Sequence, residues 1–185
     1  MGMPHAAGQW KATTVRALQN DGQRHEFIDG AHVVTPAPGP PHQIVLRRLF
    51  AALEPCCTAS GIADLLWSPA DLALGEDEIL QPDLFVYRTV SGQPLTSWRQ
   101  IRDLQIVIEV LSPSTAQYDR GLKRRRYQRA RVPEYWIVDI EARAIERWRP
   151  DDTEPEVITD RLGFRLDRAG TEYLLDVAAL FADPL

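Results

Sequence analysis

The chain is short of every residue that would build a covalent or metal framework. Its 185 residues include only two cysteines, Cys56 and Cys57, which are adjacent and give no disulfide scaffold. The four histidines, His5, His25, His32 and His42, lack zinc-ligand spacing. No apolar run approaches the ~18 residues of a membrane span, and the opening MGMPHAAGQWKATTV has no apolar signal core. These absences lead us to expect a cytoplasmic, reducing address and no membrane contact. Positive charge is also short: 21 Lys+Arg face 26 Asp+Glu, a net charge of −5. That excludes a whole-surface polyanion binder and confines any nucleic-acid contact to a local patch.

What is present is globular. A hydrophobic share of 44% with 25% charged residues argues against wholesale disorder. A chain of this length buries enough surface to fold without staples. We expect a flexible N-terminal segment, residues 1–23, ahead of a single domain, 24–185.

Asp29-Gly30 between two β-type runs in HEFIDG-AHVVT predicts a hairpin. PAPGPP (36–41) predicts a stiff loop, and HQIVLRRLFAALEP (42–55) a helix that Pro55 ends. Short β runs follow: ADLLWSP, ADLALG and EILQPDLFVYR, then a polar connector over 89–103. LQIVIEVL (104–111) is apolar on both faces and predicts a central, doubly covered strand. AQYDRGLKRRRYQRAR (116–131) reads as a helix, EYWIVDI and AIERWRP as two strands, and DVAALFA (176–182) as a C-terminal helical turn. Together these predict an α/β (α+β) domain, a mixed sheet flanked by two main helices.

Three residues could carry chemistry. Glu109 interrupts the most apolar strand, where an unpaired carboxylate costs several kcal/mol. It therefore needs a cation, a metal or hydrogen-bond donors, and a structural ion pair would serve as well. Asp83 follows Pro82 at a strand start, a place where turn chemistry is the bland reading. Two converging carboxylates suit a hard cation such as Mg²⁺. Lys123 is one of only two lysines among 21 basic residues and sits amid arginines. A compact ammonium can orient a water, although a salt bridge to Asp119 is the simpler use. The run Arg120–Arg131 holds seven basic residues, including Arg120, Arg124, Arg125 and Arg126, and makes a phosphate-binding patch possible. Its alternative is a solvated helix face. Tyr127, Tyr135 and Trp136 read as packing.

PD (82–83), IEVLSPST (108–115), DRGLKRRRY (119–127) and VPEYWIVD (132–139) together resemble the Uma-two-type family of restriction endonucleases, within the PD-(D/E)XK nuclease superfamily. HEFIDG followed by PAPGPPHQ and a helix is similar to that family's opening. The resemblance covers roughly residues 24–140. It implies a restriction-endonuclease-like core with an N-terminal hairpin, and a Mg²⁺- or Mn²⁺-dependent DNA endonuclease, expected to be homodimeric. Asp83, Glu109 and the Val110 carbonyl would be metal ligands. The superfamily's usual lysine position, two residues after the Glu, is Leu111 here, so the resemblance moves that role to Lys123 on the following helix. Glu26 and His42 match recurrent family positions and are implied as further active-site residues. Two other classes remain open: a non-catalytic nucleic-acid-binding or interaction protein retaining the nuclease fold, and a hydrolase of small phosphoesters. The basic run speaks against the second.

Overall fold

The computed structural model describes residues 11–18, 23–167 and 170–183. Most of the expected flexible segment 1–23 lies outside the described residues. Within it, α1 (Ala12–Arg16) packs Ala12 and Val15 against Phe27 and Ile79.

The Asp29-Gly30 hairpin forms as β1 (Arg24–Ile28) and β2 (Ala31–Thr35), paired antiparallel. Asp29 and Gly30 take φ of 51° and 80°, the positive pair that a tight primed turn needs to match strand twist. The chain then enters α2 (Pro40–Ser60), which is longer at both ends than the sequence pattern predicts. Pro40 and Pro41 belong to its first turn, where a missing N–H removes no helical bond. Pro55 lies inside the helix and does not end it. Burial of Leu53 and Cys57 in one core cluster carries the helix past that break, and Gly61, at φ 65°, caps it.

A six-stranded sheet follows in the order β3-β4-β5-β6-β7-β8: β3 (Ala63–Trp67), β4 (Leu84–Arg88), β5 (Leu104–Val110), β6 (Glu134–Asp139), β7 (Ala144–Trp148) and β8 (Glu156–Ile158). ADLALG (70–75) joins no strand, and only a Leu72–Leu80 bridge forms there. All neighbours are antiparallel except β5 and β6. A parallel pair needs a long crossover. Here it is one continuous helical stretch: α3 (Ala116–Tyr118), a π-helical turn (Asp119–Lys123) and α4 (Arg124–Arg129).

β5 is central, and all seven of its residues are buried. Ile106, Ile108 and Val110 face a cluster built with α2, with a second hairpin of β9 (Arg161–Arg165) and β10 (Glu172–Asp176), and with α5 (Val177–Leu180). Val107 faces the opposite cluster, with Ile28, Tyr127, Tyr135 and Ile137. Leu104 joins that second cluster because the pairing with β4 shifts register at Val86/Tyr87. Strands β8, β9 and β10 are not foreseen by the sequence pattern. Among the described residues, no helix is long and apolar enough to cross a membrane.

Candidate active site

Asp83 and Glu109 meet because of sheet register. Leu84 pairs with Ile108 across antiparallel β4 and β5, so the next residues outward, Asp83 and Glu109, face one another at the strand ends. They share parity with Phe85 and Val107, and so lie on the sheet face that α4 covers. The Val110 N–H donates to Asp83 Oδ2 at 2.8 Å, stitching the two strand ends together.

The crossover helix supplies the third group. Asp119, Lys123 and Tyr127 recur at helical spacing, all three are buried, and they form the stripe that faces the sheet. Lys123 Nζ donates to Glu109 Oε1 at 3.0 Å and lies 2.9 Å from Glu26 Oε2 and 3.6 Å from Asp119 Oδ1. The Glu26 contact is an ion pair without hydrogen-bond alignment, and Glu26 Oε2 and Asp119 Oδ1 both lack hydrogen bonds. The anticipated Asp119 salt bridge is therefore present, but it is the longest of Lys123's three carboxylate contacts.

The hairpin closes the site from above. β1 alternation puts Arg24, Glu26 and Ile28 on one face. Arg24 donates to Asp83 Oδ1 from both terminal nitrogens at 2.8 Å, and Glu26 Oε1 accepts from the Gln81 N–H at 2.8 Å. His42, in the first turn of α2, sits with Nε2 3.0 Å from Asp83 Oδ2. So Glu26, His42, Asp83, Glu109 and Lys123, five side chains singled out in the sequence, come together. Arg24 and Asp119 complete the cluster. Arg24 was legible in hindsight, since any strand placing Glu26 in the site places Arg24 there as well.

Four buried carboxylates, Glu26, Asp83, Glu109 and Asp119, thus surround two permanent cations, Arg24 and Lys123. The electrostatics follow from that imbalance. Burial alone would raise Asp83, but the His42 hydrogen bond and the charges of Arg24, His42 and Lys123 hold it well below the usual carboxylate range. Glu109 is pushed well above that range chiefly by burial, which the Lys123 charge opposes and the charges of Asp83, Asp119 and Glu26 reinforce. Asp119 rises to about 6, again chiefly through burial. Lys123 is held above its ordinary value because Glu109, Glu26 and Asp119 overcome the burial penalty.

A pocket of about 410 Å³ opens at this end of the sheet. Arg24, His42 and Asp83 reach its floor, and Gln43, Leu46 and Trp67 form part of its wall. Glu109, Glu26 and Lys123 lie behind that floor.

The basic run is largely neutralised internally. Arg120 binds Asp139 and Glu146, and Arg126 binds Glu78 at 2.5 and 2.7 Å. Arg129 pairs with Asp29 and Arg131 with Asp151. Arg124 lies over the Trp148 ring at 4.5 Å. Arg125 is exposed and pairs with no carboxylate among the described residues.

The chain matches the model of the Uma2 family, described as putative restriction endonuclease, over residues 12–169. It belongs to that family. The crystal structure of a putative nuclease belonging to DUF820, from Anabaena variabilis ATCC 29413, is similar to it with a TM-score of 0.75. Their identity is 17%, over 94% of this chain and 98% of that one, a likeness that establishes the fold. None of the curated proteins matches the chain. For this Uma2-family chain the mixed sheet flanked by helices is thus the nuclease-like architecture, and the family carries a nuclease assignment.

The donor set can be tested against a divalent cation. Oxygen donors and an excess of buried carboxylate over fixed positive charge suit a hard ion; the two carboxylate oxygens without hydrogen bonds, on Glu26 and Asp119, flank the Asp83–Glu109 pair and face Lys123. Among the described residues, no three His, Cys, Asp or Glu side chains are grouped to hold a metal. A set of two carboxylates completed by a backbone carbonyl and water needs no such group. The residues fit in kind.

Proposed function

We propose that the protein is a metal-dependent DNA endonuclease that hydrolyses phosphodiester bonds. The observation that carries this reading is the convergence of Asp83, Glu109 and Lys123, from two strand ends and a crossover helix, on one buried cluster at the foot of a pocket. Asp83, Glu109 and the Val110 carbonyl would hold Mg²⁺ or Mn²⁺. Such a cation, when bound, polarises a phosphoryl oxygen and lowers the pKa of a coordinated water.

The chain's own groups then have distinct tasks. Lys123 stays protonated among three carboxylates, so it serves as a fixed positive charge that orients water or steadies charge at phosphorus, and not as a base. His42 and the Val110 N–H hold the Asp83 carboxylate in one orientation. Arg24, with both terminal nitrogens on Asp83 at the pocket floor, neutralises that carboxylate where an entering phosphate would approach. From the basic run, Arg125 is the residue left free to contact DNA, since Arg120 and Arg126 are committed to carboxylates and Arg124 to Trp148.

The test is a titration of the purified protein with Mg²⁺ or Mn²⁺ over plasmid and branched DNA. Cleavage should require metal and disappear in Asp83→Asn and in Glu109→Gln. Binding without cleavage at any metal concentration would refute the enzyme and leave a nucleic-acid-binding protein with a nuclease fold.

A further inference from the structure

The pocket at the strand ends is not only polar. Trp67, the last residue of β3, is 51% exposed, although large aromatic side chains are usually well buried. It pairs with Leu84 across the β3–β4 ladder, so its backbone stands one residue from Asp83. The Ser68 N–H donates to the Asp83 carbonyl at 3.2 Å and the Ser68 hydroxyl to the Pro82 carbonyl at 2.6 Å, which fixes that spacing. Phe50 meets the Trp67 ring edge-to-face at 4.8 Å between centroids and sets its angle. Leu46 and Gln43 share both the pocket and the adjoining apolar groove with Trp67. Arg47, which also lines that groove, is exposed and makes no ion pair among the described residues.

A half-exposed indole, the Gln43 amide and a floor where Arg24 is paired with Asp83 lie within one pocket of about 410 Å³, and the Arg47 guanidinium lies in the adjoining groove; together they match the parts of a nucleotide. The cavity is of the size of a ligand pocket for a small organic molecule. Stacking on an aromatic ring needs a base with a free π-face, which a base inside a duplex does not have. The floor adds a second constraint. Asp83 is 4% exposed and lines a concave pocket, which a strand free to bend enters more readily than a stiff paired duplex.

We infer that this pocket takes an unpaired nucleotide, stacking its base on Trp67 and directing its phosphate to the floor, so that the substrate class is single-stranded or locally unpaired DNA. This rests on the nuclease reading of the Asp83–Glu109 site, which it makes more specific. A larger cavity of about 490 Å³ at the other end of β5 and β6 offers no comparable platform. It has no aromatic side chain in its lining, and three of its four arginines, Arg88, Arg131 and Arg165, are paired with Asp103, Asp151 and Glu172.

The experiment is equilibrium binding in EDTA, which reads the platform without cleavage. The probes are a fluorescein-labelled thymidine oligonucleotide, the same strand carrying abasic sites, and a blunt duplex of equal length. The proteins are the full chain, Trp67→Phe and Trp67→Leu, with melting curves to verify that each is folded. The full chain should bind the single strand at least ~10-fold more tightly than the abasic strand or the duplex. Trp67→Leu should lose about 5- to 150-fold on the single strand, the range for one stacked base, while its duplex binding is unchanged and Trp67→Phe retains most affinity. Equal single-strand affinity in Trp67→Leu, or equal affinity of the full chain for strand and duplex, overturns the inference. So does a shift from dimer to monomer in Trp67→Leu by sedimentation, which would make this face a contact between two copies. Cleavage is read separately: the expected binding pattern with no metal-dependent cleavage supports the platform and refutes the nuclease. Wild-type cleavage in Trp67→Leu with unaltered binding does the reverse.

Discussion

Replacing Glu109 by Gln should leave the metal-free protein as stable as before, or more so. Glu26, Asp83, Glu109 and Asp119 are buried with only Arg24 and Lys123 as permanent cations, so the formal sum is 2 − 4 = −2, and the substitution makes it −1. Glu109 is held well above the usual range by burial and by its three acidic neighbours, so its ionised form is the disfavoured one. Each pKa unit of that displacement is ~1.4 kcal/mol against the charged state. The Gln carbonyl can still accept from Lys123, so the expected gain is ~0–2 kcal/mol, or up to about 4–8 °C in melting temperature for a chain of this size. The sign with pH is fixed: a carboxyl whose folded pKa is raised contributes stability below its unfolded pKa, which is lost as pH rises through the folded one. The advantage of Glu109→Gln over wild type should therefore grow between about pH 5 and about pH 8. Guanidinium melts in EDTA at both pH values read it directly. A structural bridge to Lys123 predicts the opposite, a loss of ~3–5 kcal/mol. A fall of that size at the higher pH, or a gap that does not change with pH, refutes the charge argument.

Lys123→Met should lose ~3–5 kcal/mol in the same melts, because four carboxylates are then left with Arg24 alone; an unchanged midpoint would show that the ammonium is not what holds them. Lys123→Arg keeps the charge but forces a larger fork into a site where the side chain is 3% exposed, which costs ~1–3 kcal/mol. It should retain DNA affinity and lose most cleavage, and wild-type plasmid nicking would remove Lys123 from the mechanism. Asp119→Asn should match wild type below about pH 4 and exceed it by up to ~3 kcal/mol above pH 7, given a folded pKa raised to about 6; lower stability at the higher pH argues against that shift. Arg125→Ala should reduce the salt slope of DNA binding by ~0.7 on a single strand and ~0.9 on a duplex, whereas Arg120→Ala should leave it unchanged because Asp139 and Glu146 already neutralise that guanidinium. Filter or anisotropy titrations across salt concentrations separate the two.

Local chemistry made some elements legible from residues alone. The Asp29-Gly30 turn needs two positive φ values in sequence, and few dipeptides provide them. β5 could be recognised as central because a strand apolar on both faces has no other place to go. The helical stripe Asp119–Lys123–Tyr127 follows from the period of a helix. Where long-range packing competes with local preference, the reading from sequence fell short. Pro55 disfavours a helix locally, yet core contacts of Leu53 and Cys57 on either side hold α2 together. β9 and β10 carry a weaker apolar alternation, and they become strands by pairing with each other over the α2 side of the sheet.

For the site the division is similar. An acid inside an apolar strand, an acid at a strand start and a rare lysine on the next helix are visible in one dimension, because each violates the local pattern around it. Their partners are not visible there. The register that sets Asp83 opposite Glu109, the hairpin that lays Arg24 and Glu26 over them, and the carboxylates that absorb Arg120 and Arg126 all join residues far apart in the chain. Composition and periodicity determined which residues were out of place. Only the tertiary structure decided which charges would neutralise which, because Coulomb energy depends on separation in space and on burial, and neither is a property of sequence distance.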